Sequence, residues 1–306
     1  MIASGTSGAG AKLWRDVAWL ILLAAIWSSS FAAIKIAVHT MPPMTLVAVR
    51  TVIAVILLLP IMMHQKARLP RDPKSWMMGF ALGVFGIALP FFLIGWGEQR
   101  VDSGLAAILM AIMPLTTMVL AHFFNEGDRL SLVKVLGLAI GFGGVIVLIG
   151  PEALKGLGGA VIFQLAIAGG GVCYAINAVI TRNLPSGMAG SSMIGRAVMV
   201  MICGALISVP MALIMDGPGA MFGADQDAWL ATFYIGILPT GLATLIYFHI
   251  VEARGASFFA FVNYLNPVFG VLWGALLLAE VISLQAMAAL GLILAGIAVA
   301  NWRTRS

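Results

Sequence analysis

The sequence predicts an all-α integral membrane protein of ten transmembrane helices, arranged as two five-helix inverted-topology repeats with both termini cytoplasmic. Three observations carry this. Residues of the AVILMFWYC set make up 61% of the 306-residue chain and DEKR only 9%, too little polar surface to cover a water-soluble fold of that size. Charge-poor apolar runs, near the length of about 20 residues that a bilayer core requires, recur ten times. A shift of 154 positions lays Glu98 on Glu252, Arg100 on Arg254, Ser103 on Ser257, Ala106 on Ala260, Glu126 on Glu280, Leu130 on Leu284 and Gly137 on Gly291. Self-similarity at half the chain length means duplication.

The apolar runs are 17–38, 44–63, 75–97, 103–124, 131–150, 159–181, 190–215, 228–251, 256–278 and 284–302. They hold Gly and Pro without a period-two alternation, which fits spanning helices and not barrel strands. Residues 1–11, rich in Gly and Ser, read as a disordered tail. Lys12 and Arg15 ahead of an apolar run resemble a signal-peptide start, but the run lacks an A-x-A cleavage site and opens a repeat unit, so it reads as a retained first helix. The two repeats are then 12–155 and 156–302, followed by a short cytoplasmic tail, 303–306.

Cations orient the chain. With the N-terminus inside, the inner loops and tails take Lys12, Arg15, Lys66, Arg68, Arg71, Lys74, Arg129, Lys134, Arg182, Arg254, Arg303 and Arg305, and the outer side keeps Lys35, Arg100 and Lys155. The net charge of +5 therefore sets topology, and nucleic-acid binding is excluded as a function class. Cys173 and Cys203 lie inside apolar spans without metal-ligand spacing and read as small core residues. No metal or cofactor is expected.

Weaker pairings extend the repeat. Trp27–Lys35 (WSSSFAAIK) matches Tyr174–Arg182 (YAINAVITR), Arg50 matches Arg196, and the third helix of each half carries a proline, Pro90 and Pro239. Helices four and nine carry Pro114 and Pro267, one residue out of register. Five helices per half is an odd number, so the second half runs upside down relative to the first.

This order of motifs, with a Trp-Ser start and Lys end in helix one, Pro in helices four and nine, and an acidic corner before a Gly-rich last helix, resembles the EamA-type ten-helix members of the drug/metabolite transporter superfamily over nearly the whole chain. Within it the chain resembles the YddG-like bacterial amino-acid exporters. The resemblance implies a multi-pass transporter of the bacterial inner membrane, and the direction, export, comes from it alone.

Repeat transporters place substrate near the bilayer midplane where the halves meet, which selects the polar and aromatic residues in mid-span. Helix one offers Trp27, Ser28, Ser29 and Ser30, suited to packing or to a cavity wall. Helix six offers Tyr174 and Asn177 on one face, after Gly169, Gly170 and Gly171, which suit close packing or an unwound turn. Helix nine holds Asn263, Tyr264, Asn266 and Pro267, where the proline frees a carbonyl near Asn263. Opposite it, helix four presents Met110 and Met113, so that the pair would form an amphipathic pocket. Trp96 and Thr244 complete the candidate set, with Pro90, Pro114, Pro239 and Pro267 as hinges.

No Asp or Glu falls near the middle of a span, so the sequence names no proton carrier. Arg50 and Arg196 lie well inside spans and can snorkel; a phosphate carrier would need one of them pointing inward. Glu126 and Glu280 are expected to meet the N-terminal amides of the next span, and helices five and ten, with Gly137, Gly141, Gly143, Gly144, Gly291 and Gly296, to be scaffold or a dimer face. The expected activity is alternating-access export of small neutral metabolites, amino acids with apolar or aromatic side chains, by a monomer or homodimer. The alternatives are a carrier for sugar phosphates, nucleotide sugars or lipophilic drugs, or a passive channel. An intramembrane enzyme is disfavoured, since Gly255-Ala256-Ser257 lacks the glycine of an intramembrane serine motif and no His pairs with acids at ligand spacing.

Overall fold

The computed structural model describes residues 6–124, 130–150 and 159–301, with side chains from residue 14 onward except at 256 and 257. Glu126, Arg129, Lys155, Arg303 and Arg305, together with residues 1–5, lie outside the described residues, as do the side chains of Lys12 and Ser257. All regular structure among the described residues is helical.

Eight helices are long and apolar enough to cross a membrane. They lie in α1 (Thr6–Ala37), α2 (Pro43–His64), α3 (Pro73–Glu98), α4 (Ser103–Phe124), α5 (Leu132–Ile149), α6 (Val161–Arg182), α7 (Met193–Met215) and α8 (Gln226–Arg254). Two shorter apolar helices follow, α9 (Val262–Leu278) and α10 (Leu284–Ala300). α1 starts at Thr6, so residues 6–11 of the stretch expected to be disordered are helical; Ala9 and Ala11 favour extending a turn that the apolar span already nucleates.

Short polar side chains start several helices. Asp72, Ser131, Ser192, Asp225 and Ser283 each accept the amide proton of the residue three places on. Gly255, at φ 81°, ends α8. The chain then makes one helical turn, Ala256–Phe259, before α9 begins. The helix is interrupted at Ala260–Phe261, where Phe261 and Asn263 donate to carbonyls three residues back, and Pro267, expected as a hinge, lies buried inside α9.

The prolines of the third span in each half sit at widened turns. A π-helical turn covers Val84–Ala88 just before Pro90, and another covers Gly236–Leu242 around Pro239. A proline lacks the amide that its helix would use, and a wide turn absorbs the mismatch. In α4 the helix stops at Leu109 and resumes at Ile112, ahead of Pro114, and the Met110 carbonyl accepts from Met113.

Packing exchanges the two halves. α1 packs on α9 and α8, and its mate α6 packs on α4 and α3. α2 packs on α7 and on the wide turn of α8, while α7 packs on α3. α5 packs on α10, so close that a Cβ on Gly137 would strike Ala300 and one on Gly296 would strike Gly141, while a Cβ on Gly141 would strike Leu115 of α4. The small residues of the fifth and tenth helices are thus used inside the chain, though Gly143 and Gly291 face open space. Cys173 and Cys203 are buried free thiols.

The first half of α4 meets the second half of α9: a Cβ on Gly104 would contact Val271, and one on Gly270 would contact Ala107. Toward their other ends Phe123, Phe124 and Phe261 are exposed. The α9–α10 corner closes the joint. Ala279 takes a left-handed conformation, φ 52°, and turns Glu280 back over the start of α4. Its carboxylate accepts from Ser103 N (2.8 Å), Ser103 Oγ (3.0 Å) and Gly104 N (2.9 Å). Glu280 does meet helix-terminal amides, but those of α4 across the molecule and not of the adjoining α10. The adjoining helix already has its own cap in Ser283, leaving the open α4 terminus as the better partner.

A candidate substrate site between the halves

The site begins with Pro239. Its ring removes the amide that would serve the Ile235 carbonyl, and the Thr240 hydroxyl donates there instead at 2.8 Å. The oxygen of Thr240 is then free to accept from Arg50, by Nη2 at 2.9 Å and Nε at 3.3 Å. Arg50 is 4% exposed and lies about 10 Å along α2 from its start, by helical rise. Its guanidinium sits over the Phe91 ring, 3.7 Å from the centroid. Among the described residues no carboxylate forms an ion pair with it, and Thr240 is its one hydrogen-bond acceptor. An arginine carries five donors, so most of its hydrogen-bonding capacity is unspent.

Around Arg50 the structure gathers residues from both halves. Phe91 meets Tyr174 edge-on at 6.5 Å. Asn177, one turn further along α6, is close enough to the wide turn of α3 that a Cβ on Gly86 would lie 2.7 Å from its Oδ1. Trp27 donates its indole N–H to the Pro239 carbonyl at 3.1 Å and packs against Tyr247 and Phe259 at 6.1 and 5.8 Å. Ser30 bonds the Trp27 carbonyl, and Thr244 that of Thr240 at 2.7 Å.

Ser28, Trp96 and Tyr264 are engaged elsewhere. Ser28 is fully buried and donates to the Ala24 carbonyl at 2.7 Å, a bond internal to α1. Trp96 stacks on Phe163 at 4.5 Å near the end of α3. Tyr264 turns to α10, donating to the Ile297 carbonyl at 3.2 Å and accepting from Asn301 at 3.1 Å. Met110 and Met113 are half-buried, and a Cβ on Gly171 would press against the backbone between them and Ile112. Asn263 is half-buried. Asn266 buries an Oδ1 that accepts no hydrogen bond among the described residues.

Arg196, the mate of Arg50, reaches the carbonyls of Met188 and Ala189 at the start of α7 and stays out of the cluster. His249 is exposed against Trp19, and His122 accepts from the Leu130 amide. A surface hollow of about 620 Å³ at the α2–α3 corner is lined by Arg68, Leu69, Pro70, Arg71 and Trp76 and holds none of the site residues. Arg50 was legible only as a cation inside a span. Its mate Arg196 turns outward, and within a uniformly apolar helix no sequence period says which face a side chain takes.

The profile of the EamA-like transporter family matches the chain twice, over residues 14–150 and 162–302. The chain belongs to the EamA-like transporter family. Its two matched stretches are the two repeats, and this EamA-like protein is a multi-pass membrane transporter. It is similar to an uncharacterized transporter of Archaeoglobus fulgidus, at 26% identity over 91% of this chain and 96% of that one. It is likewise similar to the uncharacterized inner membrane transporter YedA of Escherichia coli K12, at 28% identity over 90% and 86%. A solved crystal structure of a protein superposes on it with TM-score 0.62 at 23% identity, covering 92% of this chain and 95% of that chain, a likeness of fold.

Proposed function

We propose that this EamA-like transporter exports small zwitterionic metabolites, amino acids with apolar or aromatic side chains, across the bacterial inner membrane by alternating access. In this reading α1 to α10 all span, the halves are inverted, and both termini are cytoplasmic. The observation that carries the reading is Arg50: a buried guanidinium between the halves, held by a single hydroxyl and paired with no acid among the described residues. Leaving a buried charge uncompensated costs several kcal/mol, and a substrate carboxylate would offset that in a bidentate contact. The unserved Oδ1 of Asn266 and the aromatic faces of Trp27 and Tyr247 supply acceptors for an ammonium, and Phe91, Phe259, Met110 and Met113 supply apolar surface.

A phosphate carrier is the second reading, favoured by the inward direction of Arg50. A single arginine with Arg196 turned away matches a carboxylate's one negative charge better than a phosphate dianion. Counterflow of radiolabelled amino acids in proteoliposomes tests the proposal. Saturable exchange, competed by neutral and aromatic amino acids and lost when their carboxylates are esterified, is expected. Exchange of labelled phosphate esters alone would replace it with the second reading, and non-saturable flux would indicate a channel.

A further inference from the structure

Two carboxylates lie together at the end where α4 and α9 meet, and their surroundings differ sharply. Glu280 is served by three donors. Glu98, the last residue of α3, is 0% exposed, and neither of its carboxyl oxygens accepts a hydrogen bond among the described residues. The ionisable groups facing it are Lys35 of α1, Arg50 of α2 and Glu280; on α6, Tyr174 faces Arg50 in turn. Lys35 does not pair with the carboxyl. Its ammonium donates to the backbone carbonyls of Glu98 and Val101, at 2.8 Å each, which also occupies oxygens that a sodium ion would need.

Lys35 and Arg50 face Glu98, but their hydrogen bonds go to other acceptors; a buried carboxylate that no donor serves is costly as an anion, so of the two neighbouring acids the served Glu280 is the better seat for the charge. The repeat adds an independent observation. Glu252, the mate of Glu98, is exposed at the corresponding end of α8. In an inverted repeat the two halves exchange conformations as the carrier turns, so Glu98 would take the exposed setting of Glu252 when the α4–α9 joint parts.

We infer that Glu98 is a proton-binding site linked to closure of the outer mouth: the closed form described here holds a proton on its carboxyl, and opening of the α4–α9 joint releases that proton to the outer water. External acid then favours the closed mouth, and external alkali the open one. This rests on the alternating-access reading and on no particular substrate.

Thiol accessibility tests it without substrate. Val271→Cys, in a Cys173→Ala/Cys203→Ala background, places one thiol in the joint beside Gly104, to be labelled from outside by a membrane-impermeant maleimide between about pH 5 and about pH 8. Rates are normalised to the same thiol in the denatured protein. With Glu98 present the normalised rate should rise with pH, by up to about tenfold per pH unit as one-proton linkage allows. In Glu98→Gln, which mimics the protonated acid, it should be slow and flat. A flat rate with Glu98 present, or an unchanged rise in Glu98→Gln, overturns the inference. Should Glu98→Gln fail to insert, Glu98→Asp must shift the midpoint, and an unshifted midpoint overturns it equally. Because no amino acid takes part, this outcome is separable from that of the counterflow assay.

Discussion

Trp27 donates its indole N–H to the carbonyl of Pro239 at 3.1 Å, joining the middle of α1 to the wide turn of α8. The bond fixes the turn that presents Thr240 to Arg50. Trp27→Phe keeps the ring contacts and deletes the donor, so it should lower stability by about 1 kcal/mol, the net contribution of one hydrogen bond. Thermal unfolding of the purified protein measures this, and an unchanged midpoint would show that the turn holds without Trp27.

Arg50 makes a different demand. Arg50→Lys keeps the charge but not the two-pronged donor, and should raise the KM for amino-acid counterflow about tenfold, roughly the loss of one charge-assisted bond. Arg50→Gln should abolish exchange in a protein that still elutes as a single species. Equal KM values for wild type and Arg50→Lys would move the carboxylate site elsewhere.

Asn266→Leu fills the position of the unserved Oδ1 with apolar bulk. Exchange should be lost while the unfolding midpoint stays at or above that of the wild type, since no hydrogen bond is broken. Wild-type turnover in this variant would remove α9 from the site.

Gly137→Leu drives a side chain into Ala300 and the Gly296 carbonyl across the α5–α10 seam. Overpacking of this kind costs about 1–3 kcal/mol, and a lowered midpoint with an unaltered KM is expected. A change in KM alone would make the scaffold part of the transport cycle.

Asp72, ahead of α3, offers a pH test outside the spans. The hydroxyl of Ser75 at 2.7 Å, followed by the Ser75 amide at 2.8 Å, holds its carboxyl below the usual carboxylate range. Its cap is therefore fully effective above the ordinary value of 3.8 and is lost as pH falls through the lower folded one. Asp72→Asn should flatten this part of the midpoint-versus-pH curve below about pH 5; an unchanged acid limb would assign it to other groups.

Spans and duplication were legible because both are written in period and length: apolar runs of bilayer thickness and charged corners that recur 154 residues apart. Orientation within a span was not. α2 is apolar nearly all round, so nothing in its pattern turns Arg50 inward, and Glu98 stands in sequence beside Gln99 and Arg100, both exposed. Lys35 and Glu280 fold over that corner, and α6 packs against the neighbouring Gly97. The absence of a mid-span acid thus missed a carboxyl secluded at a helix end. Tyr264 shows the converse, since its place beside two asparagines gave no sign that Ile297 and Asn301 would claim its hydroxyl.

The exchange of partners between the halves has a consequence for biosynthesis. α1 must wait for α9 and α8, α5 for α10, and the first turn of α4 for Glu280, so a ribosome that has finished the first repeat has released five hydrophobic segments with few of their final neighbours. Those segments need lipid or an insertase chaperone beside them until the second repeat arrives. Two separately translated repeats would be expected to rescue one another only when both are made in the same membrane.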